Sequence, residues 1–239
     1  MDSYSRDVYR PALRPEKSPL AGTGRIADDL YLIAHHEVTG RPHLSARPLG
    51  VGLAGGLLAE LLDPDAPAVT VHRGHVVPLR QHNRRSARPA RPDEPVTGHV
   101  LDLVLSEPAP LPARDWLLFL GQSSAADVAG RLEQSGYLAR QPSRLLRRAP
   151  PPVPVDLNWS HCALLRAHAA LEAARPLKPY AALLAGLVLA CGLGFRFSDF
   201  PGSPGRAAEE ATAILPGPLR ELIAQVQATA DSTVLSTRS

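Results

Sequence analysis

A mainly α-helical fold of short helices, relieved by one or two β-hairpins, is what the sequence predicts. Three observations predict it. Leucine and alanine carry most of the apolar content, and both favour helix over strand. The 25 prolines and 18 glycines demand many connections, hence short helices rather than one long bundle. Two stretches read instead as hairpins, 69–79 around Arg73-Gly74 and 137–148 around Gln141-Pro142-Ser143.

The elements follow in order. Residues 1–24 carry prolines and mixed charge without period and read as a disordered tail. A first helix spans 25–36, with Ile26, Leu30 and Ile33 at helical spacing, and Thr39-Gly40-Arg41-Pro42 ends it. A second spans 49–62 and closes at Asp63-Pro64. Its run Gly50-Val51-Gly52-Leu53-Ala54-Gly55-Gly56 is apolar and glycine-studded, as a closely packed helix requires. The first hairpin runs into an arginine- and proline-rich loop, 80–95. Val96, Val100, Leu101, Val104 and Leu105 mark a third helix. Pro108, Pro110 and Pro112 impose a rigid break before Trp116-Leu117-Leu118-Phe119-Leu120. Another helix begins at Ser124 and stops at Ser135-Gly136. After the second hairpin, Pro150-Pro151-Pro152 and Pro154 form an extended connector. Residues 158–174 and 179–195 make two helices, and 206–214 and 217–230 two more, before a polar tail at 231–239. The pattern 195–200 suits either helix or strand.

Charge is nearly balanced, +3 from 26 basic and 23 acidic residues, too little to argue for a nucleic-acid partner. Its distribution says more. Residues 80–91 and 140–148 each hold several arginines and no acid, so they are either phosphate-binding patches or solvated loops. Cys162 and Cys191 are too few for a disulfide scaffold and read as free thiols. No signal-peptide core follows Met1, which points to the cytoplasm. The apolar run 179–195 has 17 residues and three glycines, which suits a buried helix better than a membrane span.

Catalytic and metal chemistry find no arrangement here. His35-His36-Glu37 lacks the spacing of a helical zinc motif. Gly50 to Gly55 spells G-x-G-x-x-G, but no buried strand precedes it. Asp28 and Asp29 are adjacent, and helix N-terminal electrostatics accounts for them. The chain reads as a non-enzyme without cofactor or metal. The second hairpin offers a binding hypothesis. Leu145 and Leu146 lie between Arg144 and Arg147-Arg148, so apolar side chains can enter a membrane interface while guanidinium groups meet anionic headgroups, each adding about 1 kcal/mol. The plain reading is a hairpin packed on a neighbour, its arginines in solvent.

The stretch Leu30-Tyr31-Leu32-Ile33-Ala34, then Thr39-Gly40, then Leu49 through Leu61 resembles the start of the Golgi phosphoprotein family. Leu132-Glu133-Gln134-Ser135-Gly136-Tyr137-Leu138 is similar to its helix end and hairpin start, and Ala181 through Ala190 to its central C-terminal helix. The resemblance covers about 25–230, and the alanine- and arginine-heavy composition resembles actinobacterial members. It implies a core helical bundle surrounded by helices, with a protruding β-hairpin. It also implies a basic pocket for phosphatidylinositol 4-phosphate, and membrane contact or self-association through the hairpin. The family's pocket tryptophan falls at Ser45, and its three pocket arginines at Ala54, Gln122 and Ala125, so none is retained. Arg47, Arg131 and Arg144 stand nearby as substitutes, beside Arg147 and Arg148.

The combined expectation is a peripheral membrane protein, cytoplasmic or on the inner face of the cell membrane. It would bind anionic phospholipid, by resemblance phosphatidylinositol 4-phosphate, and could form a homo-oligomer. The alternative is a protein-interaction or self-association module without lipid binding.

Overall fold

The computed structural model describes residues 18–79, 92–140, 150–172 and 176–236, with side chains to residue 233. The helix that organises them is α2 (Ala46–Leu61). All but three of its residues are buried, so it has no polar face. A helix enclosed on every side needs neighbours on every side. Its glycines let them come close. A Cβ on Gly50 would stand 2.1 Å from the Gly121 carbonyl oxygen, one on Gly55 2.4 Å from Val226 Cγ2, and one on Gly56 2.9 Å from Ala27 Cα. The small residues are therefore contact points between helices, as the sequence predicts.

Around α2 stand α1 (Ile26–Ala34), α3 (Pro95–Ser106), α4 (Ala113–Leu120), α5 (Ser124–Gln134), α7 (Pro179–Ala190) and α9 (Gly217–Ser236). A further layer, α6 (Asn158–Leu171) and α8 (Pro204–Thr212), packs on α7. The fold is mainly helical, a core bundle with surrounding helices and two small antiparallel sheets. Helix α2 starts three residues before the expected position because Pro48 sits in its first turn, where a missing N–H costs no intrahelical bond. Helix α7 has 12 residues, and no described helix is long and apolar enough to cross a membrane.

The first hairpin forms as expected. Strands β1 (Val69–His72) and β2 (His75–Pro78) pair with Val69 opposite Pro78 and His72 opposite His75. Arg73 and Gly74 both take positive φ, 51° and 76°, as a two-residue turn of matching twist demands. A third strand, β3 (Leu111–Pro112), extends this sheet by pairing with β2. It occupies the segment expected to be only a break. The second hairpin differs in register. Strand β4 (Leu138–Ala139) pairs with β5 (Val153–Pro154), Leu138 opposite Pro154, while the expected return segment 144–147 lies outside the described residues. The proline-rich connector thus supplies the return strand, edge positions tolerating proline. Gly136 at φ 75° turns the chain from α5 into β4.

Two segments take the form the pattern left open or missed. Gly194–Phe197 is a 3-10 helix that buries Phe197 and exposes Phe195. Residues 18–24, expected in the tail, are tied down: Arg166 Nη1 donates to the Pro19 carbonyl at 2.8 Å, and the Thr23 hydroxyl donates to Asp29 Oδ1 at 2.9 Å.

Candidate functional site

The start of α2 packs on the junction of α4 and α5. Gly50 abuts Gly121, and the buried Ser124 hydroxyl donates to the Gly50 carbonyl at 3.0 Å. Ser45 and Arg47 lie at the start of α2, and Gln122 and Ala125 follow Gly121 at the junction. Ser45, Arg47 and Gln122 are exposed, Ala125 is half-buried and Ala54 is fully buried. Beside Gln122 lies a cleft of about 260 Å³, lined by Leu57, Val96, Phe119 and Leu120 with His99 and Asp127. Its lining is mostly apolar and contains no arginine or lysine. Of the expected headgroup cations, Arg47 is exposed in the first turn of α2. Arg144, Arg147 and Arg148, with Leu145 and Leu146, fall outside the described residues.

Arg131 is placed elsewhere, which corrects its reading as a headgroup ligand. Its side chain is 4% exposed and turns into the protein. Nε and Nη2 reach Asp28 Oδ1 at 2.8 and 2.7 Å. Nη1 donates to Glu60 Oε2 and Glu94 Oε2, both at 2.9 Å, and Nη2 to Glu60 Oε1 at 3.0 Å. Every guanidinium nitrogen thus has a carboxylate partner, so none is left for a phosphate. Burial of Arg131 opposes its charge, but Glu60 and Asp28 hold it protonated above the ordinary arginine range. Burial pushes the Asp28 carboxyl up to about 7 in spite of Arg131. Glu94 caps α3, accepting N–H bonds from Val96 and Thr97 at 3.0 and 2.7 Å. Burial works against its ionisation, but those donors hold its carboxyl down at about 2.

Asp29 faces a separate partner set. It is fully buried and accepts from Arg166 Nη2 at 2.7 Å, the Tyr180 hydroxyl at 2.9 Å and the Thr23 hydroxyl at 2.9 Å. The adjacent acids are therefore buried cross-links of α1, to α5 from Asp28 and to α6 and α7 from Asp29, not merely first-turn charges for the helix dipole. At the other end of α1, His35 stacks on Tyr31 with ring centroids 3.8 Å apart and donates from Nδ1 to the Tyr31 carbonyl at 2.8 Å. Burial lowers its pKa to about 4, so it stays neutral.

The exposed apolar side chains mark another face. Val38 is 57% exposed, Leu165 64% and Phe195 52%, with Leu157 also exposed. Leu157, His161 and Leu165 recur every four residues, one stripe from the N-cap along α6. His43 meets Phe195 edge-on at a centroid distance of 5.8 Å, which joins the 36–43 loop to the 3-10 helix. The loop also touches the base of the second hairpin, since a Cβ on Gly40 would meet the Pro152 carbonyl at 2.5 Å. Arg41 is exposed and Arg196 half-buried on these same segments. Exposed apolar side chains among arginines are a common mark of an interaction site.

Among the described residues, no group of three or more His, Cys, Asp and Glu side chains is arranged to hold a metal ion. Cys162 and Cys191 are free thiols, the first half-buried and the second buried. Burial raises the Cys191 thiol to about 12. No curated protein matches the chain. A family model described as Golgi phosphoprotein 3 (GPP34) matches residues 26–229, from the first residue of α1 to within α9. That span takes in both sheets and all of the helical bundle except the end of α9, and the chain belongs to the Golgi phosphoprotein 3 (GPP34) family.

Proposed function

We propose that this protein associates peripherally with membranes through anionic phospholipid, phosphatidylinositol 4-phosphate being the specific headgroup that the resemblance suggests. The observation that carries the reading is the family match over residues 26–229, which supports a membrane- or lipid-associated or interaction role. The patch of Val38, Leu157, Leu165 and Phe195 beside Arg41 and Arg196 supports it further. Apolar side chains among guanidinium groups suit the boundary between headgroups and acyl chains. The protein would then act in the cytoplasm and on the inner face of the membrane.

A second reading, a protein-interaction or self-association module, is favoured by the same exposed apolar patch together with the enclosure of Arg131. Sedimentation with liposomes separates the two. Vesicles of neutral lipid, of bacterial anionic lipid and of phosphatidylinositol 4-phosphate are compared at low and physiological salt. Selective retention by the last supports the specific headgroup. Equal binding to all anionic vesicles that fades with salt supports a general basic surface. Failure to bind any of them refutes the membrane reading. Phe195→Ser is expected to weaken vesicle binding without changing the melting temperature by more than about 2 °C, as for a surface change of about 0.5 kcal/mol.

A further inference from the structure

Where α1, α2, α3 and α5 converge, the buried charges do not balance. Asp28, Glu60 and Glu94 all meet the Arg131 guanidinium within 3.0 Å, and none of the four side chains is more than 9% exposed. Fully ionised, they would sum to −2 in a space that water scarcely enters. Carboxylates crowded in this way do not all ionise. The surroundings offer little relief. Asp29 is committed to Arg166, Tyr180 and Thr23. Arg25, at the N-cap of α1, acts on Asp28 only weakly. The Tyr137 hydroxyl is kept neutral by its own burial, with Asp28 and Asp29 reinforcing the effect.

Counting hydrogens leads to the same place. The Thr97 Oγ1 stands 2.6 Å from Glu60 Oε2 and 2.8 Å from Glu94 Oε2. A hydroxyl has one hydrogen and can donate it to one of them. The other short contact between oxygens needs a hydrogen from a carboxyl group. Glu94 already accepts two backbone N–H bonds and one from Arg131, which favour its ionised form. Glu60 in turn accepts the Ala27 N–H at 3.2 Å as well as Arg131 Nη1 and Nη2. The cluster as a whole therefore needs one hydrogen more than its fully ionised groups supply.

We propose that Asp28, Glu60, Glu94, Thr97 and Arg131 form a buried proton-binding site that holds one exchangeable proton at neutral pH. The ligand is the proton itself, taken from water and returned to it. Its release leaves two excess negative charges around one guanidinium. Helix α3, whose described links to that cluster are Glu94 and Thr97 in its first turn, is the element those charges loosen.

Infrared difference spectroscopy on the full-length protein tests this directly. Between about pH 6 and about pH 8, around the Asp28 transition, the carbonyl band of one protonated carboxyl is expected to vanish reversibly. Asp28→Asn and Glu60→Gln should each remove or shift it. Urea unfolding gives a second readout. The folding constant of the wild type relative to Asp28→Asn should fall by up to tenfold per pH unit from about 4 to about 7. Slopes common to both proteins, such as that of His35, cancel in this ratio. A wild-type protein with no titrating carboxyl band overturns the proposal whether or not the variants fold. Parallel pH slopes in the two proteins overturn it as well.

Discussion

Gly50→Ala and Gly130→Ala are the same change in two helices, and the structure predicts opposite outcomes. An alanine Cβ at position 50 would stand 2.1 Å from the Gly121 carbonyl oxygen and 2.9 Å from its carbonyl carbon. The obstacle is backbone, so no rotamer change relieves it. Moving α2 away would also stretch the bond from Ser124 to the Gly50 carbonyl. Overpacking of this kind costs about 1–3 kcal/mol, and a rigid carbonyl puts Gly50 at or above the upper end of that range. Against it stands about 1 kcal/mol gained by replacing glycine in a helix interior. The net loss is about 2 kcal/mol, or roughly 4–8 °C in melting temperature for a chain of this size. Around Gly130 in α5 a Cβ would meet nothing within 4 Å, so only the helix gain remains. That variant should be more stable by about 0.5–1 kcal/mol and melt roughly 1–4 °C higher. Both are measured by calorimetry and urea unfolding. Shifts of the same sign, or a Gly50→Ala protein as stable as the wild type, would refute the claim that α2 is packed against the α4–α5 junction through its glycine.

Three further outcomes are expected. Replacing Arg131 with methionine strands three buried carboxylates and should cost about 3–5 kcal/mol, read by urea unfolding at neutral pH, whereas a surface lipid ligand would leave stability unchanged. The unfolded His35 binds a proton below pH 6.5 that the folded one refuses down to about 4, so His35 stabilises the fold less as pH drops through that window. Asp28 acts with the opposite sign there, since its raised carboxyl stabilises the fold below 3.8 and loses that contribution up to about 7. Wild-type stability should therefore be nearly flat between about pH 4 and about pH 6.5, while His35→Phe should make it rise toward acid; a persistent flat profile in the variant counts against the pairing. With a thiol reagent at pH 8, the half-buried Cys162 should react in the native protein, and Cys191, buried and raised to about 12, only on unfolding.

What the sequence made legible is local. The limits of α5, the turn at Arg73-Gly74 and the packing role of the α2 glycines each follow from neighbouring residues, through caps, φ preferences and spacing. Strand β3 is not local: two residues among prolines become a strand only because β2 lies alongside. Strand β5 escapes notice for a related reason, since a proline-rich segment looks like a connector until it is found opposite β4. The sharpest miss is Asp28 and Asp29. Their partners lie at positions 131 and 166, and nothing in a helix start announces them. A buried carboxylate and a surface one have the same letters around them, and only convergence of distant helices tells them apart. Arg131 illustrates the reverse, a plausible phosphate ligand until the acids that surround it are counted.

The contact between Gly55 and Val226 has a kinetic consequence. Val226 sits where a Gly55 side chain would be, so the last helix fills a notch in the second. During synthesis at about 5–20 residues per second, roughly 10–30 s separate the emergence of these two residues. Throughout that interval α2, which has no polar face, has an open flank. Folding of the chain is thus a late event, gated by its own tail, and any agent that shields a greasy helix for half a minute would raise its yield.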